Sequence, residues 1–155
     1  VKIIPIEVIV RNIAAGTFCK RYGLENGTKL NHSIIEYCVK DDDLSDPPIA
    51  WQAITALDPQ VEDDLTVMTA MTENVNKYLR AIFYTLGLVL VDFKLEFGTN
   101  AQGDIVLADE ICPDTMRLWD INTMKSFDKD LFRFDTGDLL AGYKEVKRRL
   151  QAWQD

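Results

Sequence analysis

The sequence is poor in the residues that build many common catalytic and metal sites. Its 155 residues include one histidine, His32, and three widely spaced cysteines, Cys19, Cys38 and Cys112. A single histidine argues against a histidine-rich metal site and against acid–base catalysis by histidine. There is no Cys-x-x-Cys pair, which argues against a structural zinc site or a disulfide framework. Unpaired cysteines fit best with the reducing environment of the cytoplasm.

Basic residues are also scarce, because 17 lysines and arginines stand against 25 aspartates and glutamates, for a net charge of −8. This balance argues against binding to nucleic acid or to an anionic membrane, since both require a basic surface. No apolar run approaches the ~18–20 residues that span a membrane. The glycine-rich motifs of P-loop and Rossmann phosphate sites are absent as well. Local basic pockets for a phosphorylated small molecule remain compatible with these counts.

The composition that is present fits one globular region. Hydrophobic residues make up 47% and charged residues 27% of the chain, which is long enough to bury a sizeable core. We therefore expect residues 1–155 to form a single region. The chain begins at Val1, without methionine and already inside an apolar stretch. From this start we expect a fragment, or a longer protein whose N-terminal part is not represented.

Periodicity predicts a mixture of strands and helices. Hydrophobic residues spaced three and four apart predict a long amphipathic helix, with Asp58 as its N-cap and Pro59 at its first position. Gly23 and Gly87 are suited to end helices. In chain order we predict strands at 3–10 and 33–40, a hairpin of strands at 89–97 and 104–109, helices at 15–22, 59–86 and 138–153, a loop at 41–48 and an irregular segment at 111–134.

The last predicted helix has an apolar side and a basic end. The apolar side consists of Leu139, Tyr143, Val146, Leu150 and Trp153. The basic end consists of Lys144, Lys147, Arg148 and Arg149. Positive charge near a helix C-terminus is favoured by the helix dipole, so we interpret these residues as a solvated end.

The strand at 89–97 carries the most unusual pattern. We predict that one face consists of its apolar residues Val89, Val91, Phe93, Leu95 and Phe97. Asp92, Lys94 and Glu96 then alternate on the other face, about 7 Å apart from one to the next. Such a row is either a surface ion ladder, which contributes little to stability, or one wall of a cleft. The bulky apolar face favours a central strand and hence the cleft.

The neighbouring strand ends in Asp109, which extends this charged face only in one of two hairpin registers. A slip of one residue turns its side chain to the opposite side. In the favourable register three carboxylates and a lysine converge. Carboxylates at that density suit Mg²⁺, which prefers one or two of them together with phosphate oxygens and water. Phosphoryl-transfer sites have this composition.

A second candidate site lies where the first strand ends. Arg11 precedes the small-residue turn Ala14-Ala-Gly-Thr17, where a helix is predicted to start. Backbone N–H groups, a hydroxyl and a guanidinium at such a turn can hold a phosphate group. His32 and the cysteines are interpreted as structural residues rather than as ligands or nucleophiles.

Four blocks of the sequence together form a recognisable set. They are Ile4-Pro-Ile-Glu-Val-Ile-Val-Arg-Asn-Ile-Ala-Ala-Gly-Thr17, Leu90-Val-Asp-Phe-Lys-Leu-Glu-Phe-Gly98, Leu107-Ala-Asp-Glu-Ile-Cys-Pro-Asp-Thr-Met-Arg-Leu-Trp-Asp120, and Phe127-Asp-Lys-Asp-Leu-Phe-Arg133 followed by the last helix. These blocks closely resemble the bacterial SAICAR synthetases (phosphoribosylaminoimidazole-succinocarboxamide synthases). The resemblance covers essentially the whole chain, and two of the blocks are long and specific.

The resemblance implies an α+β fold. It would be the larger, C-terminal portion of a two-lobed architecture related to protein kinases and ATP-grasp enzymes, with a mixed antiparallel sheet and flanking helices. Residues 1–155 would contain the inter-lobe hinge strand and the lobe that binds carboxyaminoimidazole ribonucleotide (CAIR) and ATP. The N-terminal lobe that clamps ATP would be missing, so this region alone is expected to bind nucleotide poorly and to be inactive.

The resemblance also implies an ATP-dependent ligase of purine biosynthesis. Such an enzyme joins L-aspartate to CAIR and yields SAICAR, ADP and phosphate through an acyl phosphate. Its cofactors would be ATP and Mg²⁺, and its partners would be small molecules rather than nucleic acid or a membrane. Homo-oligomers are common in the family, although the sequence does not fix the oligomeric state.

Substrate and nucleotide roles follow where the motifs match. Arg11 and Thr17 look like the pair that holds the CAIR phosphate, and Arg117 looks like a second anion clamp. The family usually has serine where Thr17 stands, so the hydroxyl is kept and a methyl is added. Lys40 matches a lysine near the nucleotide. The backbone from Ile3 would form the adenine hinge.

Catalytic and metal roles follow in the same way. Asp92 and Lys94 resemble the Asp-x-Lys pair of kinase catalytic loops. Lys94 would neutralise charge on the transferred phosphoryl group and contact ATP, while Asp92 would orient or deprotonate a substrate amine. Glu96 and Asp109 look like Mg²⁺ ligands that bridge the ATP phosphates. Cys112 replaces a common serine, so a thiol stands where the family usually has a hydroxyl group.

Two other interpretations remain open at this point. One is another kinase-like enzyme that uses ATP, such as an inositol-phosphate kinase, which would not need Arg11, Thr17 and Arg117 in one pocket. The other is a non-catalytic binding domain whose row of charges is only a surface ion network. Burial of the charged face would favour a site, and full exposure would favour the binding domain.

Overall fold

A computed structural model describes residues 1–109, 111–128, 130–133 and 138–154. Within these residues one sheet is accompanied by helices. The strands are β1 (Lys2–Ile13), β2 (Lys29–Val39), β3 (Pro48–Ile49), β4 (Leu88–Thr99), β5 (Ile105–Asp109) and β6 (Met116–Asp120). The helices are α1 (Thr17–Tyr22), α2 (Trp51–Leu57), α3 (Glu62–Thr85), α4 (Asp130–Arg133) and α5 (Leu139–Gln154).

The strand pairs of this sheet are antiparallel, in the order β3-β2-β1-β4-β5. β6 pairs with the first half of β4, along the same edge as β5. β1 and β4 are central and 12 residues long each, as expected for runs rich in Ile, Val, Leu and Phe. The antiparallel sheet with flanking helices confirms the α+β class predicted from the sequence.

Helix α3 covers one face of the sheet. Leu65 and Met68 of α3 are fully buried in the same core cluster as Phe93, Leu95 and Phe97 of β4. The apolar residues spaced three and four apart along the helix therefore face the core, as predicted. No helix within the described residues is both long and apolar enough to cross a membrane.

The start of α3 differs slightly from the prediction. Asp58 caps this end as expected, because its carboxylate accepts a hydrogen bond from the backbone N–H of Gln60 at 3.0 Å. The turn Pro59–Val61 is, however, a 3₁₀ turn, and the α-helix begins at Glu62. The cap thus holds a tighter first turn than the sequence suggested.

One extra residue in β4 interrupts the alternation of its side chains. Leu90 lies opposite Leu118 of β6, and Asp92 lies opposite Arg117, so the register shifts by one residue at Val91. This is a β-bulge, a feature that bends a strand and re-aims the side chains beside it. Here it places Asp92 and Arg117 on the same face of the sheet.

The bulge makes the predicted apolar face of β4 partly wrong. Val89 and Val91 do not join Phe93 in the main core. Instead they pack with Ala15 and Trp119 in a separate cluster. The apolar residues of β4 therefore belong to two separate hydrophobic clusters, because the extra residue changes which side chains share a face of the sheet.

Four elements were not predicted, namely β3, α2, β6 and α4. β6 (Met116–Asp120) lies inside the segment expected to be irregular, and all five of its residues are buried. α2 (Trp51–Leu57) follows a short edge strand, where Pro48 pairs opposite Cys38. A proline is tolerated at a sheet edge because its missing N–H is not needed there. These elements are short, and their patterns are too brief for periodicity to reveal.

Helix α5 has nearly the predicted bounds, and its predicted apolar side is confirmed at Val146 and Leu150 but not at Trp153. Val146 is buried in the main core and Leu150 packs against it, whereas Trp153 is 53% exposed. The side chain of Leu139 lies outside the described residues.

The basic end of α5 is not simply solvated, because Arg149 is built into the fold. Its Nη1 donates to the carbonyls of Leu86 and Gly87 at 3.1 and 3.0 Å, and its Nη2 donates to Asp120 at 2.9 Å. The guanidinium also lies 5.3 Å from the ring centre of Phe127. Carbonyl groups at a helix C-terminus lack hydrogen-bond donors within the helix, and here the guanidinium of Arg149 provides those donors.

We expect Arg149→Met to lower the free energy of unfolding by about 1–3 kcal/mol, because hydrogen bonds to charged groups are lost. The bond from Arg149, helped by backbone donors, lowers the pKa of Asp120 to about 2. The folded pKa lies below the unfolded value, so the pair stabilises the protein above about pH 4 and loses its contribution as the pH falls toward 2. In the variant the pKa of Asp120 should rise, as measured by NMR titration.

The control for this prediction is Arg148→Met. Arg148 exposes 67% of its side chain and donates to Glu145 alone among the described residues. Its loss should cost much less stability than the loss of Arg149, because exposed ion pairs contribute little, and it should leave the titration of Asp120 unchanged. An unchanged pKa of Asp120 in Arg149→Met would contradict the role given to Arg149.

Candidate active site

The sheet face opposite α3 carries a row of charged side chains that are shielded from solvent. β1 contributes Glu7 and Arg11, and β4 contributes Asp92, Lys94 and Glu96. Glu7 lies opposite Glu96, and Arg11 lies opposite Asp92. These four residues are 3 to 6% exposed. Charges are buried at this level only when they are paired, so the row is not an exposed surface ion ladder, and its burial favours the interpretation as a site.

One end of the row, the arginine end, is built around the carboxylate of Asp92. Its Oδ2 accepts a hydrogen bond from Nη1 of Arg11 at 3.0 Å and another from Nη1 of Arg117 at 2.8 Å. Two guanidinium groups would repel each other if the carboxylate did not lie between them. Asp92 therefore fixes the distance between the two arginines.

Arg117 is held on a second side by Asp130. Its Nε donates to Oδ2 at 2.7 Å and its Nη2 donates to Oδ1 at 3.3 Å, a fork-like pair of bonds. Burial opposes the charge on Arg117, but Asp92 and Asp130 outweigh burial and raise the pKa of the guanidinium. Arg117 therefore stays a cation although it is 7% exposed.

Arg11 has its own second carboxylate. Its Nε donates to Glu36 of β2 at 2.9 Å, and its guanidinium carbon lies 5.9 Å from the ring centre of Phe18. Glu36 also accepts a bond from Arg21 at 2.9 Å. Both arginines are thus fixed by Asp92 and by one further carboxylate each.

The turn before α1 brings Thr17 to this end of the row. Gly16 has φ +57°, and a Cβ placed on it would lie 2.5 Å from Nη2 of Arg117. Thr17 follows directly as the first residue of α1 and is exposed. The three residues expected to hold CAIR, Arg11, Thr17 and Arg117, therefore lie together, while their role stays a prediction.

We expect Gly16→Ala to destabilise the protein more than Gly23→Ala. Both glycines have positive φ, +57° and +64°, so alanine is strained at either by about 1–2 kcal/mol. Only the new methyl at residue 16 would also displace Arg117, since nothing lies within 4 Å of a Cβ at Gly23. Urea unfolding of the two variants measures the difference. Equal losses would show that Gly16 is needed for its backbone angle alone.

The other end of the row, the lysine end, places two lysines among carboxylates. Nζ of Lys94 donates to Glu7 at 2.8 Å and to Glu96 at 3.4 Å. Nζ of Lys40 donates to the other oxygen of Glu96. This hydrogen bond raises the pKa of Lys40. Lys94 thus lies between two carboxylates that face each other across neighbouring strands.

A second bulge decides where Asp109 points. Phe97 lies opposite Leu107 of β5, but Glu96 lies opposite Asp109, so Ala108 is the extra residue. Residues directly opposite one another in an antiparallel pair share a face. Without the bulge, the side chain of Asp109 would be on the apolar side. The structure therefore has the register in which Glu96 and Asp109 face each other.

The expected convergence of three carboxylates is wrong. Asp92 is engaged by Arg11 and Arg117 instead, which leaves Glu96 as the carboxylate of the predicted row that lies opposite Asp109. Among the described residues no group of three or more His, Cys, Asp or Glu side chains is placed to hold a metal ion. Two carboxylates are nevertheless the number that Mg²⁺ takes from proteins when phosphate and water complete its shell. The magnesium role of this pair stays a prediction.

The remaining predicted residues lie near the lysine end or outside it. Ile3 is 41% exposed and pairs with Gly98 of β4. The backbone N–H of Lys40 donates to the carbonyl of Pro5 at 3.1 Å, which brings Lys40 beside the expected hinge. Cys112 is exposed, with its sulfur 3.6 Å from the Thr115 hydroxyl.

Three residues of this site were missed by the sequence analysis. Glu7 could have been found, because it has the same strand parity as Arg11, and period two puts both on one face. Glu36 and Asp130 gave no comparable signal. Their partners lie 25 and 13 residues away in the chain, so only the tertiary fold brings them together.

Comparisons with known proteins agree with this geometry. The sequence model of the SAICAR synthetase family matches residues 1–150. The phosphoribosylaminoimidazole-succinocarboxamide synthase of Pelagibacter ubique is 49% identical over 153 residues, 97% of this chain and 59% of that protein. The synthase of the same name from Rhodospirillum centenum is 50% identical over 153 residues, 97% of this chain and 60% of that protein.

The solved structures agree with the sequence match. A SAICAR synthetase in complex with ADP aligns with a TM-score of 0.92 at 44% identity, over 97% of this chain and 64% of that chain. The chain spans 59 to 60% of the length of the two curated relatives. Because the family match extends over nearly every residue and the fold agrees, the chain belongs to the SAICAR synthetase family.

Proposed function

We propose that the protein is an ATP-dependent carbon–nitrogen ligase of de novo purine biosynthesis, which joins L-aspartate to CAIR and yields SAICAR, ADP and phosphate. Its relatives carry the name of this synthase, and one solved relative holds ADP. In this proposal residues 1–155 form a single region that supplies the hinge strand and the lobe for CAIR and ATP.

The observation that carries the proposal is the division of one buried face into an arginine end and a lysine end. Arg11 and Arg117 share Asp92, and planar guanidinium groups suit the phosphate of a ribonucleotide. Lys94 and Glu96 lie further along β4, and a lysine beside carboxylates suits phosphoryl transfer. A substrate with a phosphate at one end and a reacting carboxylate at the other matches this division.

The residues of the arginine end hold the substrate in this proposal. Arg11, Thr17 and Arg117 bind the phosphate of CAIR, which fixes the position of its carboxylate along the row. Asp92 has two alternative roles, orienting a group or removing a proton. Its Oδ2 is already engaged by two guanidinium groups, which supports the orienting role.

The residues of the lysine end stabilise charge. ATP with Mg²⁺ would transfer a phosphoryl group to the CAIR carboxylate, a poor acyl donor, and leave as ADP. The aspartate amine would then attack the acyl carbon of this acyl phosphate and displace phosphate. The ammonium of Lys94 offsets negative charge that develops during this transfer. Glu96 and Asp109 provide the opposed carboxylates that Mg²⁺ needs. Lys40 and the backbone at Ile3 contact the nucleotide in this proposal, which is supported by the hydrogen bond from the N–H of Lys40 to the carbonyl of Pro5 beside the expected hinge.

The test is an assay of the complete protein that carries this chain. CAIR, L-aspartate and Mg-ATP are supplied together and with each one omitted, and SAICAR and ADP are both quantified. We expect equal amounts of the two products, and neither when CAIR or ATP is omitted. Release of ADP without SAICAR when all three substrates are present, or phosphorylation of an inositol phosphate in the absence of CAIR, would contradict the proposal.

A further inference from the structure

We propose that Asp130 is a positioning residue, which aligns the guanidinium of Arg117 for the phosphate of the substrate. This inference rests on the proposed function, because it takes the arginine end to be the site that holds CAIR. It adds to that function a carboxylate that does not itself touch the substrate.

The first step of the argument is the number of N–H groups that Arg117 has available. A guanidinium carries five N–H groups in a fixed plane. Nε and Nη2 of Arg117 donate to the two oxygens of Asp130, and Nη1 donates to Asp92. Three of the five directions are therefore set by carboxylates. The remaining N–H groups of Nη1 and Nη2 point where those bonds force them to point.

The second step is that the arginines and carboxylates paired at this end carry balanced charges among the residues that the structure describes. Its arginines are Arg11, Arg21 and Arg117, and its carboxylates are Glu36, Asp92 and Asp130. Three positive and three negative charges cancel. Where charges are balanced in this way, the direction of the hydrogen bonds contributes strongly to the selection of an anion. Alignment of Arg117 therefore matters more than its charge alone.

The third step is that Asp130 is itself held in place. It is 7% exposed, and its backbone N–H donates to Asp128 at 2.9 Å. The other oxygen of Asp128 accepts the N–H of Leu118 in β6, also at 2.9 Å. Leu118 is the neighbour of Arg117 on that strand. A short hydrogen-bonded circuit thus ties Asp130 to the strand that carries the arginine it aligns.

The experiment measures CAIR binding by calorimetry, without ATP or aspartate, on the complete protein that carries this chain. In Asp130→Asn we expect the dissociation constant for CAIR to rise about 10- to 100-fold, the scale of a lost charge-assisted hydrogen bond. The direction of the change in CAIR affinity distinguishes two possible roles of Asp130. Removing a negative charge near an anion site should tighten binding if Asp130 acts only as a nearby charge, and should weaken binding if it aligns Arg117.

Two further variants separate alignment from general stability. Asp120→Asn breaks another low-exposure pair, between Asp120 and Arg149, and should lower the melting temperature without changing CAIR affinity. In an Arg117→Lys background, which lacks the planar fork, Asp130→Asn should have no further effect on CAIR affinity. If Asp130→Asn does not fold, Asp130→Glu serves instead, because it keeps the charge but displaces the carboxylate by one methylene.

The outcomes are distinct for the two proposals. Unchanged or tighter CAIR binding by a folded Asp130 variant would overturn the positioning role and leave the proposed function standing. The same loss of affinity with and without Arg117 would also overturn it. A wild-type protein that does not bind CAIR would overturn the proposed function together with this inference.

Discussion

Replacement of Lys94 by methionine is expected to lower kcat by about 100- to 1,000-fold, or roughly 2.7–4 kcal/mol of transition-state stabilisation. Methionine keeps the aliphatic length and removes the ammonium group. If that ammonium offsets charge that develops in the transition state, the KM values for CAIR and ATP should change much less than kcat. Steady-state kinetics of the complete protein, with a thermal melt to confirm folding, provide the measurement.

The structure adds a reason to monitor stability in this variant. Lys94 donates to both Glu7 and Glu96, which lie opposite each other on neighbouring strands. Like charges directly opposite are unfavourable, so some loss of stability is expected as well. Lys77→Met on α3, exposed and on the other side of the sheet, is the matched control and should retain full kcat. A folded Lys94→Met protein with wild-type kcat would remove the catalytic role assigned to this residue.

The periodic part of the site could be predicted, because it follows from strand geometry alone. Side chains two residues apart share a face, and from this rule the sequence by itself predicts that Asp92, Lys94 and Glu96 lie together. The same rule applied to β1 would have added Glu7 to Arg11. The resemblance to a family supplied the roles of these residues, which spacing by itself could not.

The two bulges could not be predicted, and they decide which side chains face the site. Each is a single unpaired residue, Val91 in β4 and Ala108 in β5, and neither differs from an ordinary strand residue. The first aims Arg117 at Asp92, and the second brings Asp109 opposite Glu96. Period-two reasoning therefore gave the right residues but left the register open, as it must when one inserted residue reverses a face.

The carboxylates that hold the arginines were unpredictable for a different reason. Asp130 and Glu36 contact their arginines only because separate segments of the chain fold onto the sheet. Arg149 was assigned to a solvated helix end by the same local reasoning, and tertiary contacts with Gly87 and Asp120 overrode it. Local patterns report on one element at a time, so pairings between elements stay beyond their reach.

The remaining prediction concerns Asp92, whose replacement by asparagine is expected to lower the free energy of unfolding by about 3–5 kcal/mol. The carboxylate is 3% exposed and accepts bonds from Arg11 and Arg117 at 3.0 and 2.8 Å. Asparagine keeps the shape of aspartate but not its charge. Its carbonyl oxygen can still accept both bonds, which go to Oδ2 alone, but it no longer neutralises the two guanidinium groups. Two buried cations would then lie close together without the anion between them.

A matched comparison shows why burial sets this magnitude. Glu145→Gln also breaks bonds to two arginines, Arg148 and Arg149, but at a more exposed position on α5, where ion pairs contribute about 0–1 kcal/mol. Urea unfolding of both variants of the complete protein at neutral pH measures the difference. If Asp92→Asn cost no more stability than Glu145→Gln while activity was abolished, Asp92 would act on the substrate directly. A large loss of stability would instead identify it as the group that holds the two arginines at their working distance.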